Sequence, residues 1–203
     1  MKILKILSDK PNERYIEMAA DAMRRGEIVI YPTDTLYGLG CDALNNNAIE
    51  KICRLKGIKS EKTNLSIICH NLSEVAKYAK VNNQQFRILK DNLPGPFTFI
   101  LSALSKLPKA FKGRKTVGIR IPDNPIAIAL AEALGNPIMT SSVRDPDSDE
   151  DYICEPELIA ERFEADVEIV IDGGRSGIEP STVVDITDDE PEIIRQGLGD
   201  LQY

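Results

Sequence analysis

Residues 27–40 read Glu-Ile-Val-Ile-Tyr-Pro-Thr-Asp-Thr-Leu-Tyr-Gly-Leu-Gly. Ile28, Val29 and Ile30 form an apolar, β-branched run, and we read a strand over 27–31. Pro32 stops its ladder, because proline has no N–H to donate. A loop dense in hydroxyls follows, with Thr33, Asp34, Thr35 and Tyr37, closed by Gly38 and Gly40. Open α/β sheets present short polar groups to ligands at strand ends of this kind. The same residue types also build ordinary surface turns, so this segment by itself leaves both readings open.

Working outward, helices and strands interleave. Residues 12–25 place Tyr15, Ile16, Ala19, Ala22 and Met23 on one helical face, with Gly26 suited to follow the last turn. Asn46 or Asn47 is expected to cap a helix carrying Ile49, Ile52 and Cys53. Leu65–Cys69 has the length and apolar character of a strand, and helices are expected near 72–80 and 82–92. Phe97–Leu101 and Thr116–Ile121 read as strands, 124–134 as a helix ending at Gly135, and Pro137–Ser142 as a strand. After an acidic loop at 145–151, a helix is expected at 155–163 and extended segments at 167–171, 181–186 and 191–195. The expectation is a single α/β domain over 1–203, with a twisted mixed sheet and flanking helices.

The chain has 203 residues, 42% of them hydrophobic and 28% charged, which suits one domain with a substantial core. No apolar run reaches the ~18 residues a membrane span needs, and the charged N-terminus does not read as a secretory signal. Cys41, Cys53, Cys69 and Cys154 are scattered without a C-x-x-C pair, so they read as small buried hydrophobes or free thiols. A cytoplasmic setting without membrane contact is expected. The net charge of −7 opposes broad coating of nucleic acid. Basic residues nevertheless cluster at 51–62 (Lys51, Arg54, Lys56, Lys59, Lys62) and 106–120 (Lys106, Lys109, Lys112, Arg114, Lys115, Arg120), which fits either solvated faces or a local anion site.

Several strand ends share the character of the first. Pro94-Gly95-Pro96-Phe97-Thr98 is a rigid turn into a strand, and Thr140-Ser141-Ser142 closes an apolar run. Asp172-Gly173-Gly174, Pro180-Ser181-Thr182 and Arg195-Gln196-Gly197 follow in the last third. Arg120 interrupts the apolar run Val117-Gly118-Ile119-Arg120-Ile121 just before Pro122. A buried arginine requires an anionic partner, either a ligand or a structural acid such as Asp123. The single histidine, His70, makes a histidine-centred triad implausible, and no G-x-x-x-x-G-K-[ST] loop is present to hold ATP in a Walker site.

Tyr-Pro-Thr-Asp-Thr-x-Tyr-Gly-Leu at 31–39, Pro-Gly-Pro-x-Thr at 94–98, Gly-Ile-Arg-Ile-Pro at 118–122 and Pro-Ser-Thr-Val-Val-Asp at 180–185 occur in that order. The set resembles the YrdC/YciO superfamily, whose best-known members are threonylcarbamoyl-AMP synthases. The resemblance runs from about Leu7 to Gly199. It implies a YrdC-like fold around a positively lined cavity. It also implies a nucleotidyltransferase that uses L-threonine, bicarbonate and ATP as substrates, with Mg²⁺, to make threonylcarbamoyl-adenylate for tRNA modification. By the same resemblance, Thr35 contacts threonine, Arg120 its carboxylate, and Ser181 closes that side. Asn64, Thr116, Ser141 and Arg195 hold the nucleotide, with Lys56 and Ser141 catalytic and no protein-held metal. Carboxylating an amine and adenylating the carbamate asks for cations and hydroxyls around oxyanions more than for a strong base.

Two motif positions depart from the synthases. Their Lys-x-Arg reads Lys56-Gly57-Ile58 here, and their Ser-x-Asn reads Ser141-Ser142-Val143, followed by Arg144. Lys59 lies beside the first, but an ammonium does not replace a bidentate guanidinium. Losing both together resembles the YciO branch and implies weak or altered synthesis. Restoring arginine at 58 and asparagine at 143 is expected, from the sequence, to raise pyrophosphate release. Three functions therefore stand: an enzyme of threonylcarbamoyl-adenylate or a related acyl-adenylate, a module binding double-stranded RNA or tRNA in the basic cavity, and a small-molecule binding protein that kept the pocket without the reaction. The first is preferred and the second is the runner-up.

Overall fold

The computed structural model describes residues 1–6, 10–58, 66–107, 111, 115–144, 150–188 and 190–203. Ten strands of one sheet are found among them: β1 (Lys2–Lys5), β2 (Val29–Tyr31), β3 (Gly38–Asp42), β4 (Ser66–Ile68), β5 (Phe97–Ser102), β6 (Thr116–Arg120), β7 (Ile138–Ser142), β8 (Ile169–Asp172), β9 (Thr182–Asp185) and β10 (Glu192–Arg195). Their order across the sheet is β1-β8-β2-β3-β7-β4-β6-β5-β9-β10. The pairs β1/β8, β2/β8, β4/β6 and β5/β9 are parallel. The pairs β2/β3, β3/β7, β4/β7, β5/β6 and β9/β10 are antiparallel. The mixed sheet read from the sequence is what is found.

Seven helices accompany it among the described residues: α1 (Glu13–Arg24), α2 (Asn46–Leu55), α3 (Leu72–Tyr78), α4 (Asn83–Asn92), α5 (Pro125–Leu134), α6 (Glu150–Cys154) and α7 (Pro156–Arg162). Asparagines cap five of them, their side chains accepting first-turn N–H groups that lack helical partners. The cap of α2 is Asn45, whose Oδ1 accepts from Ala48 N at 3.1 Å, and neither Asn46 nor Asn47 as expected. Three further elements were not read from the sequence. They are β1, β3 in what read as a loop, and α6, which begins inside the expected acidic loop. Residues 145–149 of that loop lie outside the described residues.

Strand side chains alternate between the two faces of a sheet, and here the faces differ. One face carries Ile30, Leu39, Cys41, Ile67, Phe97, Phe99, Leu101, Val117, Ile119, Met139, Val170 and Val184. These form one continuous core with the apolar stripes of α2, α3, α4 and α7. The other face carries Leu4, Val29, Tyr31, Ile68, Ile138, Ile169 and Ile171, buried under α1 and α5, which pack side by side. These two helices cover only part of it. Over β4, β5, β6, β9 and the ends of β3 and β7, the alternating positions become Gly38, Ser66, Thr98, Gly118, Arg120, Thr140 and Val183. The sheet has a covered half and an open half on the same face. Cys41, Cys53, Cys69 and Cys154 are all buried and none is in a disulfide, as the sequence suggested.

Tyr31 explains why β3 has two glycines at alternate positions. Its ring lies across that strand, so that a Cβ at Gly38 would sit 2.8 Å from Cε2 and one at Gly40 2.7 Å from Cε1. Real side chains are not found at such separations, so the glycines are a packing requirement.

Candidate functional site

The open half of the sheet face forms a cavity of about 420 Å³. Hydroxyls and glycines from five strands line its floor, and two arginines, Arg120 and Arg195, stand in its wall. Arg120 sits at the last position of β6 because the alternation that buries Val117 and Ile119 in the core turns residues 118 and 120 to the open side. Its Nη2 donates to Asp34 Oδ1 at 3.0 Å and to Thr35 Oγ1 at 3.0 Å. The remaining Asp34 oxygen accepts from Asp123 N at 3.0 Å. The structural acid is therefore Asp34, and Asp123 contributes its backbone. Arg120 Nε is buried with no hydrogen-bond partner.

Burial lowers the pKa of Arg120 and raises that of Asp34, each opposed only in part by the attraction between them. Dehydration of this pair outweighs its Coulombic gain. At the other side of the cavity Arg195 Nη2 donates to Ser181 O at 2.7 Å, and Ser181 Oγ is 2.9 Å from Thr98 Oγ1. The pKa of Arg195 is lowered by burial, then by the charges of Arg120 and Arg144. Arg120 and Arg144 thus both repel Arg195, an arrangement that an anion relieves.

Of the residues singled out in the sequence, Thr35, Arg120, Ser141, Ser181 and Arg195 all line this cavity. Thr116 lies on the same face of β6, two positions beyond Gly118, and is not part of the wall. Lys56 stands at the end of α2, its Nζ donating to Arg144 O at 2.7 Å, and it too is outside the wall. Asn64 lies outside the described residues, as do Lys59, Lys62, Lys109, Lys112 and Arg114 of the two basic segments. The two departures from the synthase pattern share one environment. Val143 is fully buried, and Ile58 packs against the same core cluster.

Ser66, Thr98, Thr140 and Ser142 are wall residues that sequence reading did not single out as site residues. Their signal was a small polar residue at alternate positions of otherwise apolar strands. Among the described residues no group of three or more His, Cys, Asp or Glu could hold a metal ion. Both oxygens of Asp34, the carboxylate beside the cavity, are already engaged. The described residues therefore offer no all-protein cage for Mg²⁺, and no step below is routed through it. No helix among the described residues is long and apolar enough to cross a membrane.

The family model for Sua5, YciO and YrdC proteins, described as "Telomere recombination", matches residues 21–197. YciO of Escherichia coli K12, an uncharacterised protein, is 42% identical over 196 residues, spanning 96% of this chain and 94% of its own. Its crystal structure superposes with a TM-score of 0.90, at 41% identity and 98% coverage of both chains. The threonylcarbamoyl-AMP synthase of Bacillus subtilis is 34% identical over 92% of this chain, which spans 54% of that protein. Sua5 of Pyrococcus abyssi, crystallised with L-threonine, superposes with a TM-score of 0.87 at 31% identity, covering 97% of this chain and 58% of its own.

Proposed function

This chain belongs to the Sua5/YciO/YrdC family, and from that premise we propose that its cavity binds L-threonine with a nucleotide and makes or consumes threonylcarbamoyl-adenylate. The observation that carries this reading is Arg120. A guanidinium with a buried, unpartnered Nε stands over a hydroxyl-lined cavity, held from behind by Asp34 and Thr35. That is an environment for a carboxylate, and the L-threonine complex of the P. abyssi relative supports threonine as its bearer.

In the synthetic direction the threonine amine attacks the carbon of bicarbonate and water leaves, giving the carbamate. A carbamate oxygen then displaces pyrophosphate from ATP, leaving the acyl-adenylate. Arg120 fixes the threonine carboxylate and so the position of the amine. Arg195, with Ser181 and Ser141, faces the charge that grows on the phosphoryl and pyrophosphate oxygens. The apolar residues at 58 and 143 support slow synthesis, since both have left the cavity for the core.

The test is to incubate the purified protein with ATP, L-threonine and bicarbonate, and to quantify pyrophosphate and threonylcarbamoyl-adenylate directly. Supplied threonylcarbamoyl-adenylate is followed in parallel. Product formation or accelerated loss of the adenylate is the expected result. Background rates in both arms would remove the enzymatic reading.

A further inference from the structure

Two of the cavity hydroxyls have their protons committed, in opposite senses. Thr33 Oγ1 donates to Leu36 O at 2.6 Å and lies 3.1 Å from Thr35 Oγ1. A threonine hydroxyl has a single proton and two lone pairs. With the Thr33 proton on Leu36, the bond between the two threonines must be donated by Thr35. Thr33 Oγ1 also accepts from Thr35 N at 3.1 Å, which fills its second lone pair. Thr35 Oγ1 accepts from Arg120 Nη2 at 3.0 Å and is left with one lone pair and no proton to give.

At Thr140 the order is reversed. Tyr31 Oη donates to Thr140 Oγ1 at 2.8 Å. The phenol is fully buried, and among the described residues the hydrogen bond of its hydroxyl is the one to Thr140. Burial pushes its pKa up, and it keeps its proton. Thr140 therefore accepts from behind, and its own proton is free on the cavity wall.

We propose that the cavity has a fixed hydrogen-bond polarity, with Thr35 as acceptor and Thr140 as donor, which selects a small carboxylate-bearing ligand offering an N–H or O–H to Thr35 and a bare oxygen to Thr140. Thr35 and Thr140 are specificity-determining residues, and Thr33 and Tyr31 are positioning residues that act through them. The inference rests on the reading of this cavity as the ligand site. It adds which part of the ligand each hydroxyl demands. An amino acid or its carbamate meets both demands, whereas an acceptor-only anion such as acetate meets one.

Neutron diffraction from the perdeuterated protein tests the polarity without any ligand. The expected map has a deuteron from Tyr31 on Thr140 and one from Thr35 on Thr33, with the Thr140 deuteron turned to the cavity. A Thr140 deuteron directed at Tyr31, or a Thr35 deuteron directed at the cavity, overturns the proposal. Calorimetry with L-threonine as the probe tests the consequence. Thr140→Val should weaken binding about tenfold and Thr140→Ser should stay within about threefold of wild type, the span of one neutral hydrogen bond. Tyr31→Phe should fall between them, because the Thr140 proton is then free to turn away. Equal affinity of Thr140→Val and wild type overturns the donor role even where L-threonine binds. Failure of wild type to bind L-threonine instead overturns the ligand reading, and the neutron map still decides the polarity.

Discussion

Removing either member of the Arg120–Asp34 pair should unfold the protein more easily, but by unequal amounts. The two groups meet at 3.0 Å with side chains only 11% and 9% exposed. Asp34→Ala strands a guanidinium that does not deprotonate in proteins and so has no escape from burial. The cost of breaking such a pair from that side is about 3–5 kcal/mol. Arg120→Met strands a carboxylate that does have an escape. Burial already raises the Asp34 pKa above its ordinary 3.8, and without Arg120 it rises further, so the group takes up a proton. Its remaining cost is that of an imperfectly bonded polar group, about 1–3 kcal/mol.

The pH dependence follows in the same direction. Over the window between the unfolded and folded pKa values of Asp34, the native state holds a proton that the unfolded chain has released. Stability therefore falls as pH rises through that window. Arg120→Met widens the window upward, so its deficit relative to wild type should be smaller at pH 4.5 than at pH 7, whereas that of Asp34→Ala should not follow this titration. Urea unfolding of wild type, both single variants and the double variant at the two pH values measures all of this. The double variant should be more stable than Asp34→Ala alone, since it buries no charge. A larger loss from Arg120→Met than from Asp34→Ala, or a deficit independent of pH, would refute the reasoning.

Arg120→Ala should weaken L-threonine binding by about 1.5–3 kcal/mol, the range for hydrogen bonds to a charged group; calorimetry showing unchanged affinity would remove Arg120 from the site. Gly118→Ala puts a Cβ 2.4 Å from Ser66 Oγ and 3.2 Å from Thr98 Cγ2 on the cavity floor. It should cost about 1–3 kcal/mol in overpacking and reduce ligand binding, with urea unfolding and calorimetry as the checks. Ile58→Arg with Val143→Asn should lower stability by about 1–3 kcal/mol, because position 143 is fully buried and an asparagine amide there loses water without a prepared partner. Pyrophosphate release should consequently stay near the wild-type rate, and a clear rise in a folded double variant would contradict this.

Five helices were legible because each combines an apolar stripe with an asparagine at its start, and the run Asn45-Asn46-Asn47 left the cap of α2 open by one or two residues; α6, five residues long and without that signal, was not. Strand β3 was not legible. Its sequence Gly-Leu-Gly-Cys-Asp carries the residue type most typical of turns, and the reason, the Tyr31 ring on the neighbouring strand, is a tertiary contact. Strand β1 is an edge strand with Ile3 half exposed and lysines at both ends, so its pattern resembles a polar terminus. At the site, Thr35, Arg120, Ser181 and Arg195 were visible because they sit in motifs. Thr98 and Thr140 lay in the quoted stretches 94–98 and 140–142 without a role, and only the knowledge of which half of a sheet face lacks a helix turns them into wall residues.

That distinction also bears on the two departures from the synthase pattern. Position 143 follows a strand whose residues 140–142 reach the cavity, yet Val143 itself belongs to the covered core, and Ile58 joins it there after α2. The end of α2 is tied to the residue after Val143 by Lys56 Nζ, which donates to Arg144 O. Cations remain close by, Arg144 directly after Val143 and Arg195 in the cavity wall, near enough for the charge of Arg144 to lower the pKa of Arg195. A cavity walled by arginines, with apolar residues at 58 and 143, should bind a pre-formed adenylate more tightly than ATP, and calorimetry showing ATP as the tighter ligand would contradict this.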